Sequence, residues 1–242
     1  MTHLHVPDGV LPVWLWLSGA ALAAAIIAVA SRIASGPDFR RRLPVLSMTA
    51  AFMIVAMSIP VIPAAYHVQL AAVAGIILGP ALGMIAAFIV NLLLALVGHG
   101  GITTVGLNTL IVGSEVVAGW AFFRLFRAAV APGVAAGAAA FLAMVIGAVI
   151  MIGVVALASP QARTLHLHEM LAVGETEHHA AQPEPGAGPG YENLSTSRFA
   201  ALVVGLGAVG WLLEALVTGL IVRFAAGVKP DLVGLAAVHE PV

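Results

Sequence analysis

The sequence predicts an all-α polytopic membrane protein, and its composition and apolar pattern lead to this class. Hydrophobic residues make up 61% of the 242 residues, and charged residues only 9%. Soluble domains contain roughly 25% charged residues, so most of this chain is expected to face lipid or the interior of a helix bundle. The chain has no cysteine, which excludes disulfides and thiolate metal sites.

Seven transmembrane helices are predicted, because each crossing requires about 20 predominantly apolar residues. A signal peptide opens with a positively charged region, but no Lys or Arg precedes the first apolar run. We therefore expect this run to remain in the protein as a transmembrane helix. The 31 residues of 68–98 would form a straight helix of about 46 Å. Gly79-Pro80 is the natural break, since proline disfavours helix in the residue before it. The predicted helices cover 10–33, 43–62, 65–78, 80–98, 104–126, 131–158 and 199–226.

The basic residues predict an amino terminus outside and a carboxyl terminus in the cytoplasm. This orientation places all Lys and Arg except Arg163 and Arg198 on the inner side, as the positive-inside rule requires. It also places every histidine except His239 on the outer side. Residues 1–242 are expected to form one membrane domain. Its loop 159–198 contains several histidines and a Pro/Gly-rich stretch, which predicts a flexible segment.

The amino-terminal stretch MTHLHVPDG, residues 1–9, is a candidate metal-binding segment. Met1-Thr2-His3 has the spacing with which a free amine, backbone amides and an imidazole wrap Ni²⁺ or Cu²⁺ in a square plane. Removal of Met1 would leave Thr2-His3 at the terminus. From the residues alone, a solvated polar tail explains the same stretch equally well.

Two further histidines lie where predicted helices begin and end on the outer side. His67 begins the third helix, and His99 follows the fourth in the glycine-rich stretch GHGG. A lone histidine at a helix end is more often an interfacial polar residue than a ligand. Together with His3 and His5, however, these residues give four imidazoles on one face of one bundle.

Polar side chains inside the predicted helices form a third candidate group: Asn91, Asn108, Glu115 and Glu214. Ionisable residues within a membrane span are costly and are functional hypotheses by default. Hydrogen bonding between helices explains the two glutamates as well as a functional role does. Asn108 follows the glycine loop and is placed to hold either that loop or a ligand.

Two catalytic motifs are absent from the sequence. The stretch HEMLA has Ala172 where the second histidine of a zinc protease would stand. The phosphate-binding loop of an ATPase is missing, and Lys229 is the only lysine. ATP-driven transport would therefore require an ATPase on another chain. The sequence contains no block of basic residues that would indicate nucleic-acid binding.

The segments HVPDGVLP, YHVQLAAVAGIILGPALG, GHGGITTVGLNTLIVG and LLEALVTGLIVRFAAGVKPDL resemble one known family. This is the CbiM/NikM family, the substrate-binding membrane components of energy-coupling factor (ECF) ABC transporters for cobalt and nickel. The resemblance extends from residue 5 to about 233. It implies a bundle of six helices common to such components, plus one extra amino-terminal helix.

The resemblance also implies a function and partners. The chain would capture Co²⁺ or Ni²⁺ as transported ions, without a prosthetic group and without being an enzyme. These ions supply cobalamin biosynthesis or nickel enzymes. The implied partners are a membrane coupling (T) protein, cytoplasmic ATPase subunits and a small accessory membrane subunit. The implied location is a bacterial or archaeal cytoplasmic membrane.

In the family, a Met-His start binds the metal through its amine, amide and imidazole, and a second histidine completes a square-planar site. His67 matches the second histidine, and His5 matches the first by its distance to Pro7-Asp8-Gly9. Asp8, Asn108 and Glu115 are expected as supporting groups.

This sequence departs from the family at its start, because Leu4 and three further residues precede His5. Either Met1 and His3 supply the amine and amide ligands, or an imidazole-rich site uses His5 and His67 with His3 and His99. The residues leave both arrangements open, as they leave open cobalt against nickel.

Two rival functions use the same residues. An intramembrane zinc metalloenzyme would employ the histidines, with Glu115 or Glu169 as the base. A proton-coupled secondary transporter would employ Glu115 and Glu214.

Overall fold

The structure, a computed structural model, describes residues 11–36, 39–62, 66–158 and 196–234. These residues form an all-α bundle, as the sequence predicts. The amino-terminal segment 1–9 and nearly all of the loop 159–198 lie outside the described residues. The helices are α1 (Val13–Ala34), α2 (Phe39–Ser58), α3 (Ala71–Leu96), α4 (Val105–Phe126), α5 (Pro132–Leu157) and α6 (Thr196–Val228), followed by a 3₁₀ turn, Pro230–Val233.

Five of the helices are long and apolar enough to cross a membrane: α1, α3, α4, α5 and, within α6, Gly207–Val228. A multi-pass membrane protein is thus confirmed for the described part of the chain. Helix α2 is not among the five, and its first turn contains Arg40, Arg41 and Arg42. Seven crossings and the orientation of the termini stay predictions.

The prediction was wrong on the segment between α2 and α3. Instead of helix to residue 62 and again from 65, the chain forms two short antiparallel strands, β1 (Pro60–Ile62) and β2 (Tyr66–His67). Proline disfavours helix in the residue before it, so α2 ends ahead of Pro60. Helix α3 begins only at Ala71, because Leu70 has a left-handed backbone with φ 59°.

Helix α3 is interrupted at Gly79, which confirms the predicted break. Gly79 has φ 76° and ψ 175°, a conformation that is essentially restricted to glycine. A methyl group placed on Gly83 would lie 3.4 Å from the carbonyl oxygen of Ala74, nine residues earlier. In a continuous helix these positions would be about 13 Å apart. The two halves of α3 therefore fold back against each other.

The first half of α3, from Ala71 to Leu78, lies inside the protein. All but Ile77 of its residues are buried. A methyl group on Gly119 of α4 would come within 2.8 Å of the Ala72 Cα atom. The first turn of α3 therefore packs against the second half of α4. A helix this short is tolerated at membrane depth because protein surrounds it on all sides.

The fold-back defines two ends of the bundle. His67 precedes α3 and His99 follows it, and their rings are neighbours; we call this the histidine end. Gly79 lines a cavity of about 310 Å³ together with Arg42, Arg124 and Arg127. Because α4 runs from near His99 to Arg124, this arginine cavity lies at the opposite end of α4.

Candidate metal centre

The structure brings two of the predicted ligands together at the histidine end. The ring centroids of His67 and His99 are 5.9 Å apart, and the rings are inclined at 87° to each other. His67 is half-buried and His99 is exposed. Their approach depends on the fold-back of α3, since 32 positions of sequence separate them.

The position of His99 follows from the way α3 ends. Gly98 has φ 84°, and its N–H donates to the Ala95 carbonyl at 3.1 Å. The N–H of His99 donates to the Leu94 carbonyl at 2.8 Å. These two bonds make a Schellman motif, in which the left-handed residue is usually glycine. His99 is therefore fixed to the last turn of α3 through its backbone.

The position of His67 depends on the segment that follows it. Gln69 and Leu70 donate their backbone N–H groups to the carboxylate of Glu214 on α6, at 3.0 Å and 2.7 Å. The Glu214 side chain is fully buried, and Gln69 is 2% exposed. The sequence leaves the role of Glu214 open between structure and function, and the structure shows a contact that joins residues 145 positions apart.

Thr104 and Asn108 connect the start of α4 to the glycine loop that contains His99. Thr104 donates its hydroxyl to the Gly101 carbonyl at 3.0 Å. Asn108 in turn donates its amide Nδ2 to the Thr104 hydroxyl at 3.4 Å. Both side chains are buried. A role of Asn108 toward a ligand stays a prediction.

Glu115 lies deeper in the bundle than the two histidines. It is seven residues beyond Asn108 on α4, about 10 Å along the helix axis. It is 4% exposed, and a methyl group on Gly147 of α5 would overlap its carboxylate. Its Oε2 atom has no hydrogen-bond partner among the described residues. The structure does not bring Glu115 to the histidine end.

The remaining predicted ligands lie outside the described residues: Met1, His3, His5 and the supporting Asp8. Within the described ranges, no three His, Asp or Glu side chains lie close enough to hold a metal ion together. The role of all these residues as metal ligands stays a prediction.

A bundle of apolar helices of membrane-spanning length, with two imidazoles at one end, defines an integral membrane protein with a candidate transition-metal site. Residues 5–232 match the family described as CbiM, cobalt uptake substrate-specific transmembrane region. The chain belongs to this family, which confirms the resemblance found in its sequence motifs.

Two curated relatives support the family assignment. The chain is 32% identical over 154 residues to the cobalt transport protein CbiM of Kyrpidia tusciae; the match covers 60% of each chain. It is 36% identical over 134 residues to a putative metal transport protein of Haloquadratum walsbyi, covering 51% of this chain and 59% of that one. The chain thus spans about three fifths of the length of these relatives.

Two solved structures share the fold. A crystal structure of a truncated transition metal transporter matches with a TM-score of 0.67 at 17% identity, covering 93% of this chain and 99% of that chain. A second transition metal transporter matches with a TM-score of 0.69 at 19% identity, covering 94% of both chains. At this identity the likeness concerns the fold alone.

Proposed function

We propose that this chain is the metal-capturing membrane subunit of an ECF importer for Co²⁺ or Ni²⁺ in a bacterial or archaeal cytoplasmic membrane. The observation that supports it is the pair of imidazoles, His67 and His99, at one end of a bundle that belongs to a cobalt-uptake family. Imidazole nitrogen suits both ions. The transported ion is the substrate, and no prosthetic group is proposed.

The spacing of the two rings suits a shared ion. A metal–imidazole bond of about 2.1 Å puts each ring centre about 3.2 Å from the ion, so two such centres are at most about 6.4 Å apart. The observed 5.9 Å falls inside this limit. The spacing of His67 and His99 is therefore compatible with one ion bound by both rings.

Two rings do not complete a site, and the proposal assigns the other ligands to the amino-terminal segment 1–9. In one arrangement Met1 and His3 bind through amine, amide and imidazole. In the other, an imidazole-rich site uses His5 and His67 with His3 and His99, and Asp8 supports the segment. Intact mass of the purified protein identifies the true first residue, and His3→Ala and His5→Ala distinguish the two arrangements.

Energy for uptake is proposed to come from other chains. The sequence lacks the phosphate-binding loop of an ATPase, so cytoplasmic ATPase subunits would act through a membrane coupling protein. Ala21 and Ala25 of α1 are exposed and lie one turn apart, which would allow close helix packing against the coupling protein. A small accessory membrane subunit completes the proposed complex.

Metal binding by the purified chain tests the proposal. We expect one Co²⁺ or Ni²⁺ per chain by calorimetry and metal analysis, and loss of binding in His67→Ala. His239→Ala is the matched control, because His239 is predicted on the opposite side of the membrane. Unchanged affinity in His67→Ala would refute the proposed site.

Transport assays separate the proposal from its two rivals. In vesicles with the partner subunits, uptake should require ATP. Uptake that persists without ATP and collapses with the proton gradient would favour a secondary transporter using Glu115 and Glu214. Metal-dependent turnover of a substrate without any ATPase would favour a zinc enzyme.

A further inference from the structure

We propose that Glu214 is the positioning residue for the metal ligand His67. The inference rests on the proposed function, because it takes His67 as a ligand. Glu214 lies on α6 and would not touch the ion. It would act through the backbone of Gln69 and Leu70, which connects His67 to the first turn of α3.

Both carboxylate oxygens of Glu214 are used in this contact. Oε2 accepts the Gln69 N–H at 3.0 Å, and Oε1 accepts the Leu70 N–H at 2.7 Å. Hydrogen bonds to an ionised acceptor are shorter and stronger than those between neutral groups. A carboxylate at the start of a helix also interacts favourably with the helix dipole. The two bonds therefore fix both the position of residues 69 and 70 against α6 and the orientation of their backbone.

The segment needs this support because of its place in the bundle. Residues 68–70 are buried and are not helical, and Leu70 is the one described non-glycine residue with a positive φ. Backbone N–H groups at membrane depth are costly when unpaired. Removing the carboxylate would leave two such groups to find new partners. As these N–H groups move to new acceptors, the backbone of the segment that carries His67 would be displaced.

The matched experiment uses full-length protein with Glu214→Gln, Glu214→Asp and Thr218→Val. Gln keeps the size of the side chain but sets an amide NH₂ against a backbone donor. Asp keeps the charge but is shorter by one methylene. Thr218 is one turn farther along α6, is fully buried, and its hydroxyl has no hydrogen-bond partner among the described residues. Its replacement by Val controls for altered packing of α6.

The first readout is amide hydrogen exchange in the metal-free protein. We expect amide exchange at Gln69 or Leu70 to rise at least about tenfold in Glu214→Gln, because the glutamine amide offers one acceptor oxygen where the carboxylate offers one to each backbone N–H. Thr218→Val should leave exchange there unchanged. This measurement does not depend on metal binding, so it tests the contact even if the proposed function is wrong.

The second readout is Co²⁺ binding, with its visible absorption spectrum. Residues that orient a metal ligand typically cost about 10–100-fold in affinity when mutated, and we expect a loss of this size in Glu214→Gln. Glu214→Asp should retain more affinity than Glu214→Gln and show a shifted spectrum. A merely structural role would lower the melting temperature without changing the spectrum.

The outcomes separate the two proposals. Parental Co²⁺ affinity and spectrum in both folded Glu214 variants would overturn the positioning role. Retained affinity in His67→Ala would instead overturn the proposed function. If Glu214→Gln does not fold, Glu214→Asp decides: an unshifted spectrum at parental affinity refutes the inference, and a shifted one supports it.

Discussion

Replacement of Gly79 by alanine should destabilise the protein through backbone conformation alone. Gly79 has φ 76° and ψ 175°, and a methyl group added there would meet no atom within 4 Å. No steric clash therefore contributes. Holding a non-glycine residue in this region costs about 1–3 kcal/mol. For a chain of this size, that corresponds to a melting temperature lower by about 2–12 °C.

Gly153→Ala is the matched control for this prediction. Gly153 lies within α5, and a methyl group there also meets nothing within 4 Å. Alanine is a better helix former than glycine, so this change should stabilise the protein by up to about 1 kcal/mol. Thermal unfolding of both variants in the same detergent measures the difference. Equal changes in the melting temperature of the two variants would show that the backbone conformation of Gly79 does not determine the cost of its substitution.

Three further substitutions or additions test other parts of the structure. Gly147→Ala should cost about 1–3 kcal/mol in thermal unfolding, because its methyl group overlaps the Glu115 carboxylate; unchanged stability would contradict this packing. Gly98→Ala should weaken Co²⁺ binding by displacing His99 from the Schellman motif, whereas Gly98→Asn should be milder because Asn tolerates the left-handed conformation; equal affinities would exclude this role. Co²⁺ at a hundred times its Kd should stabilise the parent by about 2.7 kcal/mol, measured as a rise in melting temperature, and a similar rise in His67→Ala would argue against that ligand.

Much of the bundle was predictable because its determinants are local. The apolar runs predicted five of the helices to within about three residues at each described end. The dipeptide Gly79-Pro80 predicted the break because glycine and proline act on their own backbone and that of their immediate neighbours. Placing His67 and His99 on one side followed from this break.

The hairpin and the Glu214 contact were not predictable in the same way. Strands β1 and β2 are only three and two residues long, too short to show an alternating pattern. The acceptor for Gln69 and Leu70 lies on α6, and nothing local indicates which helix supplies it. The signal in the sequence was a glutamate within an apolar run, which predicts an internal partner without identifying it.

The break in α3 and the buried carboxylate of Glu214 answer the same structural requirement. The fold-back returns His99 to His67, but it leaves a first half of only eight residues, about 12 Å long. The chain therefore enters the bundle interior through residues 68–70, which are buried and not helical, so that their N–H groups need acceptors from elsewhere. Glu214 satisfies two of them. Every helix leaves its first N–H groups without helical partners, and here the start of α3 lies inside the bundle, where Glu214 supplies two buried acceptors to the residues just before the helix.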